Sequence, residues 1–108
     1  MGKSTLSYSA AVILQAVASG YSYGFDVMDI TGLPSGTVYP ALRRMEEARL
    51  VKSAWESEAD AAGEGRPARK YYEITPRGAA ALTDALARYR RLERLLPRPA
   101  QKPSAGGG

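Results

Sequence analysis

The chain has 108 residues, with 15 lysines and arginines against 11 acids, a net charge of +4 and a pI near 9.6. That length fits one domain with a modest core, and that charge is compatible with nucleic acid without demonstrating it. Cysteine and histidine are absent, which removes disulfide frameworks, thiolate nucleophiles, imidazole bases and the usual zinc sites, so neither an enzyme nor a metal or cofactor site is expected.

From Thr5 to Ser19, Leu6, Ala10, Ile13, Leu14 and Val17 recur at helical spacing, and Gly20 supplies a stop. The longest apolar run, Ala10 to Leu14, falls far short of the roughly 20 residues that cross a bilayer. The first residues lack a secretory charge, core and cleavage pattern, so a cytoplasmic location without membrane contact is expected. A polar aromatic link, Tyr21 to Tyr23, precedes a short second helix over Gly24 to Thr31 carrying Val27, Met28 and Ile30, which Gly32-Leu33-Pro34 breaks.

The third helix carries the strongest functional signal. On a helical wheel Val38, Ala41, Leu42, Met45 and Ala48 gather on one side; Gly36, Pro40, Arg43 and Glu47 gather opposite, flanked by Tyr39 and Arg44. Ser35 or Thr37 is the expected cap, with Pro40 at or just past the first turn and Gly36 leaving room for its ring. Helices joined by a short glycine-containing turn match a helix-turn-helix, whose second helix enters the major groove.

Leu50 to Glu56 reads as a strand and Arg69 to Thr75 as its antiparallel partner. Between them lies an Ala/Gly-rich stretch, expected to be a flexible loop around Gly63, Gly65 and Pro67. Thr75-Pro76 then opens a last helix running to about Leu96, where Pro97 stops it. Its Leu82, Leu86, Tyr89, Leu92 and Leu96 recur at steps that suit a partner helix, while Arg88, Arg90, Arg91 and Arg94 keep other faces wet. The expected fold is mainly α with a small antiparallel β-hairpin. It comprises a winged helix-turn-helix DNA-binding domain over 1–75, a C-terminal dimerisation helix over 76–96 and a disordered tail over 97–108.

Tyr23-Gly24-Phe25, Gly36-Thr37-Val38-Tyr39-Pro40-Ala41-Leu42, Leu50-Val51, Trp55-Glu56, Gly65 through Tyr72 and Thr75-Pro76-Arg77-Gly78 together resemble the PadR family of bacterial transcription regulators, in order and spacing over about residues 5–96. The single last helix resembles the short branch of that family. The resemblance implies a homodimeric winged-helix protein that binds a palindromic operator, usually to repress, with release by a small molecule in many members. One departure is Arg49, where the family commonly has glycine; a left-handed cap there costs on the order of 1 kcal/mol, so a different helix end is expected.

Candidate DNA contacts follow from residue chemistry. Arg43 can bond a guanine edge or clamp a phosphate, or instead pair with Glu47 on a solvated surface. Arg44 is less well aimed. Ser35, Gly36, Thr37, Tyr39 and Pro40 lie near the helix start, where hydroxyls and amides suit a phosphate; Ser35 can simply cap, and Tyr39 can pack on the wing instead. Arg66, Arg69 and Lys70 offer charge to the minor groove or a phosphate, with Arg66 at the wing tip the best placed; alternatively they guard the hairpin against edge pairing. Strand alternation puts Arg69 with Tyr71 and Lys70 with Tyr72. Trp55 is expected to pack rather than stack on a ligand.

The dimer interface is expected at Leu82, Leu86, Tyr89, Leu92 and Leu96. Tyr8, Tyr89 and the apolar faces of the first and last helices are placed to enclose a small aromatic effector. The competing readings are a winged-helix protein-interaction module without sequence-specific DNA binding and, last, an enzyme using Asp, Glu or Tyr.

Overall fold

The computed structural model describes residues 6–96. Their order is α1 (Tyr8–Ala18), α2 (Gly24–Thr31), α3 (Ser35–Glu47), β1 (Val51–Trp55), α4 (Glu58–Gly63), β2 (Lys70–Ile74) and α5 (Pro76–Leu95). The expected helix start at Thr5, the stop at Pro97 and the tail over 97–108 lie outside the described residues.

Each helix begins and ends for a local reason. Ser7 caps α1, its Oγ accepting from the Ala10 amide at 3.1 Å, and Gly32 closes α2 in the left-handed region at φ 74°. Neither Ser35 nor Thr37 caps α3. Pro34, extended at ψ 162°, is the N-cap, and its carbonyl accepts from the amides of Thr37 and Val38 at 2.9 and 3.0 Å. Pro40 lies inside α3, beyond the first turn; the amide it lacks would have served Gly36, whose exposed backbone water can satisfy.

Arg49 adopts φ 65°, the one positive φ at a non-glycine among the described residues. The expected different helix end does not occur. The Leu50 amide bonds the Met45 carbonyl at 2.8 Å and the Arg49 amide that of Glu46 at 3.0 Å, the paired bonds of a Schellman ending. Leu50 and Met45 are both buried, and that closure outweighs the strain at Arg49. Arg49→Gly should therefore raise stability by about 1 kcal/mol, seen as a higher chemical-denaturation midpoint. A lower midpoint would contradict this account of the turn.

The stretch between the strands is not an open loop. Residues Glu58–Gly63 form α4, capped by Ser57, whose Oγ accepts from the Asp60 amide at 3.1 Å; Glu58 and Asp60 occupy the first turn, where acids favour a helix dipole. Ala61 anchors it, 1% exposed. β1 and β2 pair antiparallel, with Val51 opposite Ile74, Ser53 opposite Tyr72 and Trp55 opposite Lys70. The link before α2 joins them through a bridge from Tyr23 to Tyr71 and a 2.8 Å bond from the Tyr72 amide to the Ser22 carbonyl.

The core gathers one side of every long element: Ile13, Leu14 and Val17 of α1, Val27 of α2, Val38, Leu42 and Met45 of α3, Val51 and Tyr72 of the sheet, and Leu82 of α5. The first half of α5 therefore belongs to this body. Thr75 caps α5, accepting at Oγ1 from the Gly78 amide at 2.9 Å, and ties it to the sheet through its own amide's 3.0 Å bond to the Leu50 carbonyl. No helix among the described residues is long and apolar enough to cross a membrane.

Candidate nucleic-acid interface

Burial divides α3 as its wheel requires except at Ala48, which is exposed at the C-cap. Val38, Ala41, Leu42 and Met45 face the core, while Gly36, Arg43 and Glu47 are exposed on the opposite side with Pro40 half-buried among them. No salt bridge engages Arg43 among the described residues, so the alternative pairing with Glu47 is not formed. At the helix start Ser35 and Gly36 are exposed and no side chain caps them, which leaves their amides free to donate outward. Thr37 is half-buried.

Tyr39 and Arg44 sit on opposite flanks. Tyr39 is 42% exposed and lies so close over Gly24 that a β-carbon there would overlap its ring. Gly24 thus lets the N-terminus of α2 hold the tyrosine beside the outer face of α3. Arg44 turns instead to a groove of about 910 Å³ between α1, α3 and α5, sharing its lining with Ala41, Ala81, Asp84 and Arg88. That places it off the face that carries Arg43.

The wing cations are already engaged within the protein. Arg66 is no free tip residue: its guanidinium bonds Glu56 at 2.5 and 3.0 Å and Glu64 at 3.1 Å, and its side chain is 24% exposed. Arg69 lies 4.2 Å from the centroid of the Tyr23 ring and 5.4 Å from that of Phe25, with its Nε 3.7 Å from Glu56. Lys70 Nζ is 3.5 Å from Glu46 and 5.7 Å from the Tyr72 ring centroid, the same-face pairing expected from alternation. Glu56 explains the arrangement. Next in register after Trp55 and Lys70, it faces Arg69, and its amide donates to the Arg69 carbonyl at 2.8 Å.

The Glu56 carboxylate accepts from Arg66, from the Tyr23 hydroxyl at 2.8 Å and from the Arg69 amide at 2.9 Å. Those donors, Arg66 first, hold its pKa at about 2, against an ordinary value of 4.5, despite its partial burial. The same bond raises the pKa of Tyr23, and Glu56 likewise raises that of Arg66. A carboxylate with a depressed folded pKa stabilises fully above its unfolded value, and that contribution is lost as pH falls from about 4.5 toward 2. Glu56→Gln should therefore flatten this part of the acid-unfolding curve followed by Trp55 fluorescence. An unchanged curve would deny Glu56 its role as the wing's anchor.

The leucine stripe of α5 divides as well. Leu82 is 7% exposed in the protomer's own core, and half-buried Leu86 packs against that core. Leu92, Leu95 and Leu96 are exposed by 44%, 79% and 61%. Between these regions, the Tyr89 hydroxyl donates to the Leu6 carbonyl at 2.8 Å, Arg88 joins it at 2.7 Å, and the Tyr8 and Tyr89 rings meet edge to face at 5.3 Å. Trp55 is 65% exposed, so its expected packing is not found. Among the described residues no His, Cys, Asp or Glu cluster could hold a metal ion.

The profile of the transcriptional regulator PadR-like family matches residues 13–84. Among solved structures, a PadR family transcription regulator from Clostridium difficile is 26% identical with a TM-score of 0.72, over 82% of this chain and 94% of that one. A PadR-like transcriptional regulator from Bacillus cereus is 22% identical with a TM-score of 0.65, over 81% and 85%. Bordetella bronchiseptica BpsR, whose DNA binding is regulated by 6-hydroxynicotinic acid, is similar in fold at 18% identity and a TM-score of 0.70, over 94% of this chain and 75% of that one. No curated protein matches the chain. The two-stranded wing, the helix pair ahead of it and the profile match across most of the described residues together establish that this chain belongs to the PadR-like family of transcriptional regulators.

Proposed function

We propose that the chain is a homodimeric repressor of a palindromic operator, with α3 in the major groove and the wing along the adjoining backbone or minor groove. The observation that carries this reading is the outer face of α3: an exposed guanidinium at Arg43, without a salt bridge among the described residues, beside small Gly36 and Pro40, on a helix whose other side is locked into the core. Small residues let the helix approach base edges, and Arg43 supplies the bidentate donor. The Ser35 and Gly36 amides, with Thr37 and Tyr39, bond phosphates and fix the register. Arg66, Arg69 and Lys70 chiefly shape the wing, adding positive potential to its outer surface.

Residues 1–75 form the DNA-binding unit, and dimerisation falls to the second half of α5, where exposed Leu92, Leu95 and Leu96 offer an apolar end too small to bury itself. A symmetric pair spaces its two reading helices for successive major grooves. Replacing Leu92 and Leu96 together by aspartate should yield a monomer by sedimentation, with operator affinity about a hundredfold lower because the second half-site no longer adds its binding. A variant that stays dimeric, or a monomer that binds as tightly, would refute the arrangement. By this reading a small aromatic effector would enter the groove lined by Leu6, Arg44, Arg77, Asp84 and Arg88, beside the Leu6 carbonyl that Tyr89 bonds. Thermal stabilisation by aromatic carboxylates, together with release of DNA, tests that role.

Family membership supports transcription regulation over the enzyme reading. The protein-interaction alternative predicts duplex binding with no sequence preference. The repressor reading predicts a preferred site and an affinity that falls steeply with salt as counterions are released.

A further inference from the structure

We propose that Trp55 is a DNA-contact residue, its indole seated against the sugar-phosphate backbone beside the groove that takes α3. The inference rests on the DNA-binding reading of α3 and extends it to a side chain on the wing. Trp55 is the chain's one tryptophan, the last residue of β1, and 65% exposed. An isolated exposed apolar residue means little; its position gives this one meaning.

The register puts Trp55 directly opposite Lys70 and Ser53 opposite Tyr72, so these four side chains share one face of the hairpin. That face is turned to α3, because Ser53 donates to Glu46 at 2.6 Å and Lys70 Nζ lies 3.5 Å from the same carboxylate. Glu46 lies on the same flank of α3 as Tyr39 and next to exposed Arg43. Trp55 stands one pleat beyond Ser53, about 7 Å further along the strand, where the core no longer covers it. The indole thus extends the surface begun by Tyr39 and Arg43 across to the wing.

Charge selects the occupant. The one acid facing this hairpin surface from α3, Glu46, is held by Ser53 and Lys70, while Glu56 is held by Arg66 and Tyr23 on the other side of the hairpin. What remains is an exposed indole with its N–H donor and broad apolar ring, and exposed Arg43 on the helix that this hairpin face meets. A phosphate oxygen can accept from the N–H while a deoxyribose packs on the ring.

The test uses the full chain and the tightest duplex recovered from a random library. Labelled-duplex anisotropy gives affinity, and acrylamide quenching reads Trp55 directly. Binding should protect the tryptophan severalfold from acrylamide, and Trp55→Ala should weaken the duplex roughly tenfold, the worth of about one hydrogen bond. The salt slope should be unchanged, since no cation is removed. Trp55→Phe, which retains a ring and loses the N–H, should fall between the two and controls for folding. Tight duplex binding with Trp55 still fully quenchable, or with Trp55→Ala as tight as the parent, overturns this proposal and leaves the reading of α3 standing. If the parent chain binds no duplex, the reading of α3 fails and this inference with it.

Discussion

Arg43→Ala is expected to weaken specific operator binding by about 1 to 3 kcal/mol while leaving the fold intact. The size follows from what the side chain can do where it stands. Arg43 is exposed on the outer face of α3 and has no salt bridge among the described residues, so its removal breaks nothing inside the protein. A guanidinium bonding the two acceptors of a guanine loses both at once. Arg44→Ala is the matched control: that side chain lines the groove toward α5, and its loss should change specificity much less. Gel-shift titrations of both variants on specific and scrambled duplexes separate the cases. Equal losses on both duplexes would assign Arg43 to phosphates, and no loss would remove it from the interface.

Gly78→Ala should cost about 3 kcal/mol of stability, the upper range for forcing extra volume into a packed site. Gly78 is buried in the first turn of α5, and a β-carbon there would overlap the carbonyl oxygen of Leu50 and lie 2.9 Å from Ile74 Cγ1. Neither neighbour moves freely. The Leu50 carbonyl accepts from the Thr75 amide at 3.0 Å, and the Thr75 hydroxyl, which caps α5, shares its proton between the Arg49 carbonyl at 2.7 Å and the Leu50 carbonyl at 3.0 Å. Relief of the clash would separate α5 from the strand entrance and disturb the turn at Arg49. Chemical denaturation monitored by circular dichroism measures the loss, and an unchanged midpoint would show that the junction is loosely packed. Gly24→Ala is the useful contrast, because the obstruction there is the exposed ring of Tyr39, which can swing outward.

These two residues illustrate what could be read from the chain beforehand. Regular periodicity disclosed α1, α2, α3, the hairpin and α5, because each buries one face against the same core and its spacing records that burial. The outer face of α3 was legible for the same reason: what the core leaves is what a partner can meet. Gly78 was visible as part of a motif, but its reason lies in the Leu50 carbonyl, distant in sequence.

The misreadings share a cause, in that each turns on a partner remote along the chain or on a terminal bond. The stretch containing α4 looked like a loop because alanine and glycine dominate it; the cap pairing of Ser57 with Asp60 and the acids of the first turn were the available signal. Arg66 looked free because charges were weighed without their partners, although the strand register already brings Glu56 to this end of the wing. The α5 leucines formed one stripe on the wheel, yet Leu82 joins the core shared with α1, α3 and the sheet while Leu92 and Leu96 are exposed past it. At Arg49, a local cost of about 1 kcal/mol yielded to burial of Leu50 and the two bonds that close α3.

The central claim is that two copies of α3 read DNA sequence through Arg43. Selection of duplexes bound by the purified full chain from a random library tests it most directly. The account predicts a single enriched motif of two inverted halves, with centres about one helical turn apart, whose guanine preference relaxes in the Arg43→Ala protein. Recovery of unrelated sequences in proportion to the input, with no inverted repeat, would contradict it.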